Sequence, residues 1–157
     1  MNSSDERRDS DGILDDIGPT TDARSFDPPL KIGVISDTHL YDRRGIALPP
    51  PVLDLFRRAE VGLIVHLGDA NTRAVLEQLA KIAPLIAVPG NNDDLELHAT
   101  LPESVQFTVG RFRFAALHGH GGRTARDEAI RRFRGRVDCV LVGHSHKPLI
   151  EQVDDTV

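Results

Sequence analysis

The sequence predicts an α/β protein built around parallel strands. Between residues 30 and 88, three short apolar runs alternate with two segments of helical periodicity. This β-α-β-α-β order is typical of a parallel sheet with right-handed crossovers. Further along the chain, two strand-like runs are separated by the dipeptide Gly110-Arg111, and a helix and another apolar run follow them. The dipeptide indicates a two-residue hairpin, so we expect additional sheet in the second half.

Proline and glycine set the limits of the predicted elements. Strands are predicted at 30–36, 61–67, 85–88, 105–109, 112–117 and 137–142, and a last strand begins at Pro148. Helices are predicted at 52–59, at 72–82 and at about 124–133. The proline run 49–51 suits a helix N-terminus, where a missing backbone N–H leaves no hydrogen bond unmade. In the second helix, Val75, Leu76 and Leu79 recur at helical spacing.

The composition is that of a single globular domain. The chain has 157 residues, of which 39% are hydrophobic and 27% are charged. No apolar run approaches the ~20 residues that a transmembrane helix needs, so we expect no membrane association. The N-terminus lacks the basic-then-apolar order of a signal peptide, and Cys139 is the single cysteine. These features predict a cytoplasmic protein.

The acidic charge is concentrated in the N-terminal tail, residues 1–29. These residues contain eight acidic side chains and three arginines, which account for the whole formal net charge of −5. They are polar, nearly free of aromatics, and end in Asp27-Pro28-Pro29. Such a composition buries too little apolar surface to offset chain entropy, so we predict a disordered acidic tail, with an interaction tail as the alternative. The folded domain is predicted to span 30–157.

Metal-capable side chains follow five of the predicted strands. Because ligands bind beyond the carboxyl ends of parallel strands, these side chains are expected to face one crevice. Asp37 and His39 are two residues apart, so in an extended chain their side chains would point to the same side. Carboxylate and imidazole together are a standard ligand set for divalent metals. The set comprises Asp37 and His39, then Asp69, Asn91, His118, and finally His144 and His146.

Taken as an ordered set, these motifs resemble those of the calcineurin-like metallophosphoesterases. The motifs are Asp37-x-His39, Gly68-Asp69, Gly90-Asn91-Asn92-Asp93, His118-Gly119-His120 and Gly143-His144-Ser145-His146. The compact spacing is similar to that of the small bacterial and archaeal phosphodiesterase branch, to which a subunit of the eukaryotic retromer complex also belongs. The resemblance extends from about Lys31 to Gln152 and implies a two-sheet αββα sandwich.

The resemblance also implies a site for two divalent metal ions. In that arrangement Asp37, His39 and His146 hold one metal, Asn91, His118 and His144 hold the other, and Asp69 bridges them. A hydroxide bridging the metals would attack the phosphorus of a phosphodiester, while the metals stabilise the charge that develops on the phosphoryl oxygens. Manganese is the expected metal, with iron, zinc or nickel as alternatives for a site rich in imidazole.

Two departures from the family pattern bear on activity. Many larger members place a histidine directly after Gly-Asn, where it protonates the leaving group, but this position is Asn92, which cannot act as a general acid. His120 is the nearest replacement, so Asn92 and His120 are the candidate catalytic positions. The family pattern also continues with a further strand beyond Val157. We therefore expect incomplete C-terminal strands, with an unpaired edge, in a chain that is either naturally short or a fragment.

Alternative interpretations remain open at several positions. Asp69 could serve only as the N-cap of helix 72–82, and Asn91 could simply favour a left-handed turn. Arg43 and Arg44 could attract phosphate or lie in a solvated loop. The arginine-rich helix lacks interleaved aromatics, so we expect a solvated face and no strong nucleic-acid binding. The expected partner is a phosphate ester, and the pattern predicts no oligomeric state. The alternative function is a catalytically weak or inactive metal-binding scaffold for protein interaction, as in the retromer subunit.

Overall fold

The computed structural model describes residues 24–41 and 47–157 of the chain. Within these two ranges there are seven strands and four helices. In chain order they are β1 (Arg24–Phe26), β2 (Ile32–Ile35), α1 (Pro50–Ala59), β3 (Leu63–His66), α2 (Arg73–Ala80), β4 (Leu85–Ala87), α3 (Leu95–Thr100), β5 (Ser104–Val109), β6 (Phe112–Leu117), α4 (Ala125–Phe133) and β7 (Cys139–Val142). Arg43, Arg44 and most of the predicted acidic tail lie outside the described residues.

The strands form two separate sheets. The first sheet has the order β2-β3-β4, and both of its strand pairs are parallel. The second sheet has the order β1-β5-β6-β7, in which β5 and β6 form an antiparallel hairpin and the two outer pairs are parallel. The hairpin at Gly110-Arg111 is therefore confirmed. The carboxyl ends of β2, β3 and β4 in the first sheet, and of the parallel pair β6 and β7 in the second, lead into the loops that carry the predicted ligands.

The two sheets face each other between two helical layers. Alternate residues of β3 point to opposite sides, as the strand period of two requires. Leu63 and Val65 enter the core between the sheets, where they join Phe107 of β5, whereas Ile64 faces the helices. Buried side chains of α1, α2 and α3 cover the outer face of the first sheet, and α4 covers the second. The predicted αββα sandwich is confirmed.

Local signals explain where the helices begin. Pro50 and Pro51 occupy the first turn of α1, where proline is tolerated. The side chain of Thr124 accepts a hydrogen bond from Asp127 N at the start of α4, and Asp94 accepts one from Leu97 N at the start of α3. Helix α3 is absent from the sequence prediction, because six residues with Leu95 exposed carry no clear apolar periodicity.

Part of the predicted disordered tail is in fact a strand. Arg24–Phe26 pairs in parallel with Phe107–Val109 of β5. The Phe26 ring packs edge-on against Phe107, with 6.2 Å between centroids. The polar composition predicted that the entropy cost of ordering this segment would keep it unfolded. The ring contact and the backbone pairing with β5 offset that cost. The prediction of disorder is therefore wrong for these three residues.

The C-terminal segment runs along the protein without forming the predicted strand. Residues 148–150 are irregular, and Ile150 is exposed. The edge of β7 is nevertheless partly paired, since Val140 N donates to Val157 O over 2.7 Å and Val157 N donates to Asp138 O over 3.0 Å. The expected unpaired edge is thus partly covered by the last residue of the sequence. No helix in the described ranges has the length and apolar character needed to cross a bilayer.

Truncating Phe26 tests whether β1 contributes to the fold. We expect Phe26→Ala to lower the free energy of unfolding by about 1–2 kcal/mol, because it removes a half-buried ring and its contact with Phe107. Phe112→Ala, which removes a half-exposed ring from the same sheet, should change it by no more than about 0.5 kcal/mol. Urea unfolding of both variants provides the comparison. A free energy of unfolding for Phe26→Ala that falls by no more than that of Phe112→Ala, about 0.5 kcal/mol, would show that packing of β1 adds nothing to stability.

Candidate metal centre

The loops after β2 and β3 are held together by backbone hydrogen bonds. Asp37 N donates to Gly68 O over 2.9 Å, and His39 N donates to Asp69 O over 3.0 Å. The parallel pairing of the two strands therefore continues past their ends. As a result, Asp37, His39 and Asp69 lie side by side at the edge of the sheet.

The candidate ligands adopt an unusual backbone conformation. Asp37 and His39 have φ angles of 55° and 48°, Asp69 has 57°, and His144 and His146 have 66° and 52°. The extended conformation expected for Asp37-Thr38-His39 is therefore wrong, although the two side chains do converge. Left-handed backbone at residues other than glycine costs roughly 1–3 kcal/mol each and clusters at functional sites. Its repetition after three strands indicates that these loops serve a site.

Glycines allow the loops to approach one another closely. A Cβ atom on Gly68, whose φ is 91°, would lie 2.6 Å from His118 Nδ1. A Cβ atom on Gly90 would overlap the carboxylate of Asp69, and one on Gly143 would overlap Ser36 Oγ. The glycine in each of these motifs is therefore required by close packing around the candidate ligands.

One cluster of ligand atoms is formed by Asp37, His39 and His146. Asp37 Oδ1 lies 3.1 Å from His146 Nε2 and 3.9 Å from His39 Nε2, and the two Nε2 atoms are 3.4 Å apart. Ligands that share a tetrahedral zinc-like ion are about 3.3 Å apart. Asp37 Oδ1 is buried, and no described residue forms a hydrogen bond with it. An unsatisfied carboxylate oxygen facing two imidazoles fits a cation.

A second cluster contains Asp37, Asp69 and His118, whose ligand atoms lie within 4.8 Å of one another. The ring of His118 is oriented by Nδ1, which lies 2.6 Å from the carbonyl oxygen of Leu67. With Nδ1 donating, Nε2 is left as the acceptor, 3.5 Å from Asp69 Oδ2 and 3.2 Å from Asn91 Oδ1. Such backbone contacts orient metal-binding histidines in many proteins.

The carboxylate of Asp69, in the second cluster, also lies close to His39 of the first cluster. Its Oδ2 atom is 3.7 Å from His39 Nε2 and 3.5 Å from His118 Nε2. Asn92 donates to both of its oxygens, with distances of 2.8 Å from N and 2.7 Å from Nδ2. Burial favours the neutral acid, but the hydrogen bonds from Asn92 and the two nearby histidines outweigh it and lower the pKa of Asp69. The side chain is therefore a buried, charged carboxylate.

The N-cap alternative for Asp69 is wrong. Helix α2 begins after Thr72, and the Asp69 side chain bonds Asn92 instead of the helix. The alternative for Asn91, a purely conformational role, has less support because its side-chain oxygen contacts the His118 ring.

His66 lies beneath the site, where its Nδ1 accepts a hydrogen bond from Gly68 N. Burial lowers the pKa of His66 to about 4, which keeps this ring neutral.

Asp93 and Asn71 complete the support of the site. Asp93 accepts hydrogen bonds from Asp69 N, Gly90 N and Asn71 N. Asn71 Nδ2 in turn donates to Asn92 O over 2.7 Å. Sequence reasoning overlooked Asn71. Its position two residues after Asp69 repeats the spacing of the pairs 37/39 and 144/146, and its φ of 75° repeats their backbone conformation.

His144 and His120 lie at the side of the second cluster. The His118 ring centroid is 4.9 Å from that of His144 and 5.4 Å from that of His120. The backbone N of His144 donates to Asp37 Oδ2 over 3.0 Å, but its ring belongs to neither cluster found among the described residues. Burial, followed by the neighbouring His118 and His144, lowers the pKa of His120.

The comparisons with known proteins assign the family. Residues 30–157 match the calcineurin-like phosphoesterase superfamily domain. The chain belongs to this family. A probable metallophosphoesterase of Methanocaldococcus jannaschii is 37% identical over 129 residues, covering 80% of this chain and 64% of its own length. A phosphodiesterase of the same organism is 28% identical, covering 82% of this chain and 80% of its own length. This chain therefore spans less than two thirds of the first relative.

A solved structure shows the same fold. Wild-type Vps29 of Entamoeba histolytica, complexed with zinc, aligns with a TM-score of 0.62 and 25% identity, covering 80% of this chain and 69% of its own. The family is metal-dependent, and the residues described above could hold metal ions. The protein is thus a metallophosphoesterase-family member, as the motif set predicted.

Adding one methyl group at Gly90 should disturb the site without replacing any candidate ligand. We expect Gly90→Ala to weaken Mn²⁺ binding by about tenfold or more, since the new Cβ must displace the Asp69 carboxylate. Gly62→Ala is the matched control, because its Cβ would meet only the flexible end of Leu30. Titration calorimetry measures both affinities. Similar Mn²⁺ affinities for the two variants would contradict the role given to Asp69.

Proposed function

We propose that this protein hydrolyses phosphodiesters at a site for two divalent cations. The observation that carries the proposal is the position of the buried Asp69 carboxylate, whose Oδ2 atom lies within 4 Å of an imidazole in each of the two ligand clusters. Family membership supports phosphoester chemistry, and the phosphodiesterase relative supports a diester as the substrate.

The proposed ligand assignment follows the motif order. Asp37, His39 and His146 would hold one cation, whereas Asn91, His118 and His144 would hold the second, with Asp69 shared. The short distances within the first set support this assignment. In the second set, Asn91 and His118 are already within 3.2 Å, and the ring of His144 lies beside them. Asp37 reaches both clusters and adds negative charge to each.

Bound cations would supply Lewis-acid activation of the phosphoryl group and of the attacking water. Side chains of this protein would balance the positive charge of the cations and hold the ligands in position. Asp37 and Asp69 contribute two carboxylates, and Asn92 holds Asp69 in place through two hydrogen bonds. We therefore propose Asn92 as a positioning residue. His120, whose ring lies beside His118, is the proposed proton donor to the leaving group, a role that its lowered pKa restricts to the protonated minority of molecules at neutral pH.

The identity of the metal and the cellular location of the protein are further proposals. Manganese is proposed as the metal, with iron, zinc or nickel as alternatives that imidazole ligands also accept. A reducing compartment, the cytoplasm, is proposed because the single cysteine leaves no internal disulfide to form. A phosphate ester is the proposed partner.

A second candidate function is a catalytically weak or inactive metal-binding scaffold for protein interaction. The structural similarity to Vps29 supports it. The intact set of carboxylates and imidazoles favours catalysis instead, because a scaffold requires neither the buried charge of Asp69 nor the strained loops around it. Turnover distinguishes the two functions.

Removing the charge of Asp69 tests the enzymatic proposal. We expect Asp69→Asn to lower kcat/KM for bis(p-nitrophenyl) phosphate with Mn²⁺ by about 100-fold or more, since the amide keeps the shape but loses the carboxylate proposed to bind both cations. Asp54→Asn, at an exposed position on α1, should retain full activity.

Release of p-nitrophenol, measured with and without Mn²⁺, provides the readout. Mn²⁺ binding without turnover by the wild-type protein would favour the scaffold. Equal turnover by the wild type and Asp69→Asn would contradict the proposed role of this carboxylate.

A further inference from the structure

A polar cavity of about 510 Å³ opens beside the candidate metal centre. Its wall is shared with that centre, because His118 and His120 line both. The opposite wall is formed by helix α4 through Glu128, Arg131 and Arg132, with Glu103 from the loop between α3 and β5. The cavity is large enough for a nucleotide-sized group. The cavity therefore offers room, beside the proposed cation site, for one of the two ester groups of a diester.

The buried acid in this cavity is already neutralised. Glu128 is 4% exposed, and Arg131 binds both of its carboxylate oxygens, at 2.6 Å and 2.9 Å. This two-point ion pair lowers the pKa of Glu128 and leaves no free negative charge on the floor of the cavity. Glu103 is mostly in solvent, with 86% of its side chain exposed. Neither acid therefore prevents an anion from entering.

Arg132 retains donors for such an anion. Among the described residues it makes one hydrogen bond, from Nη2 to Ser104 Oγ over 2.9 Å. The nearest carboxylate oxygens, on Glu103 and Glu128, are each 3.8 Å from Nη1, beyond hydrogen-bond distance. A guanidinium has five N–H donors in a geometry that matches phosphate. Ser104 holds the side chain in the cavity wall, so little order is lost when it binds.

We propose that this cavity binds a second phosphate group of the substrate, and that Arg132 recognises it. The substrate class would then be phosphodiesters that carry a further phosphate on one of their ester groups. This inference rests on the proposed function for the position of the diester, but the binding of the second phosphate is a separate property of α4. The sequence alone suggested only a solvated arginine-rich face for this helix.

The test compares two dinucleotides that differ in one phosphate. Thymidylyl-thymidine made uncleavable by replacing the bridging ester oxygen with a methylene group, with and without a 5′-terminal phosphate, is titrated by calorimetry into the Mn²⁺-loaded protein. We expect the phosphorylated dinucleotide to bind about tenfold more tightly, as one charge-assisted contact allows. Arg132→Gln should abolish this difference, and Arg132→Lys should restore part of it. Arg126→Gln, on the same helix but paired with Glu151 outside the cavity, should leave it unchanged.

Equal binding of the two dinucleotides by the wild type, or no binding of either, would overturn the proposal. Retention of the full preference by Arg132→Gln would overturn it as well. Because binding is read without turnover, these outcomes are independent of whether the protein hydrolyses bis(p-nitrophenyl) phosphate. A failure of the enzymatic proposal is therefore distinguishable from a failure of this one.

Discussion

The buried carboxylate of Asp69 is the group on which the arrangement of the site depends. It lies 1% exposed between His39 and His118, and two hydrogen bonds from Asn92 hold it there. A buried charge of this kind is costly unless it is compensated by partners or by cations. Asp93 then ties the loop of Asp69 to that of Gly90 through backbone N–H groups. The strand ends thus form one hydrogen-bonded unit around this charge.

The sequence predicted the fold well where its physical signals are local and repeated. Apolar runs, proline helix starts and the glycine-containing hairpin located six of the seven described strands and three of the four helices. Strand β1 was missed because its stability comes from the distant Phe107, which no local pattern reveals. The strand expected at Pro148 does not form, although Val157 still pairs with the edge of β7. The pairing of β1 with β5 and that of Val157 with the edge of β7 both depend on contacts between residues that are distant in the sequence.

The site was predicted in composition but not in conformation. Residue types after each strand indicated which side chains would meet, and Asp37, His39 and His146 do lie together. The left-handed backbone at these residues could not be read from the sequence, since Asp and His adopt it more often than most residues but still only in a minority of cases. The roles of Asn92 and of the cavity beside α4 depend on which loops face one another. Such relationships appear only once the two sheets are packed.

The most direct test of a two-cation site is the metal content of the purified protein. After equilibration with Mn²⁺ and removal of free metal, elemental analysis by mass spectrometry gives the number of ions per chain. A centre in which Asp69 is shared between two clusters predicts about two ions per chain for the wild type and fewer for Asp69→Asn. One ion or none in the wild type, or an unchanged count in the variant, would contradict the claim that these strand ends build a two-cation site.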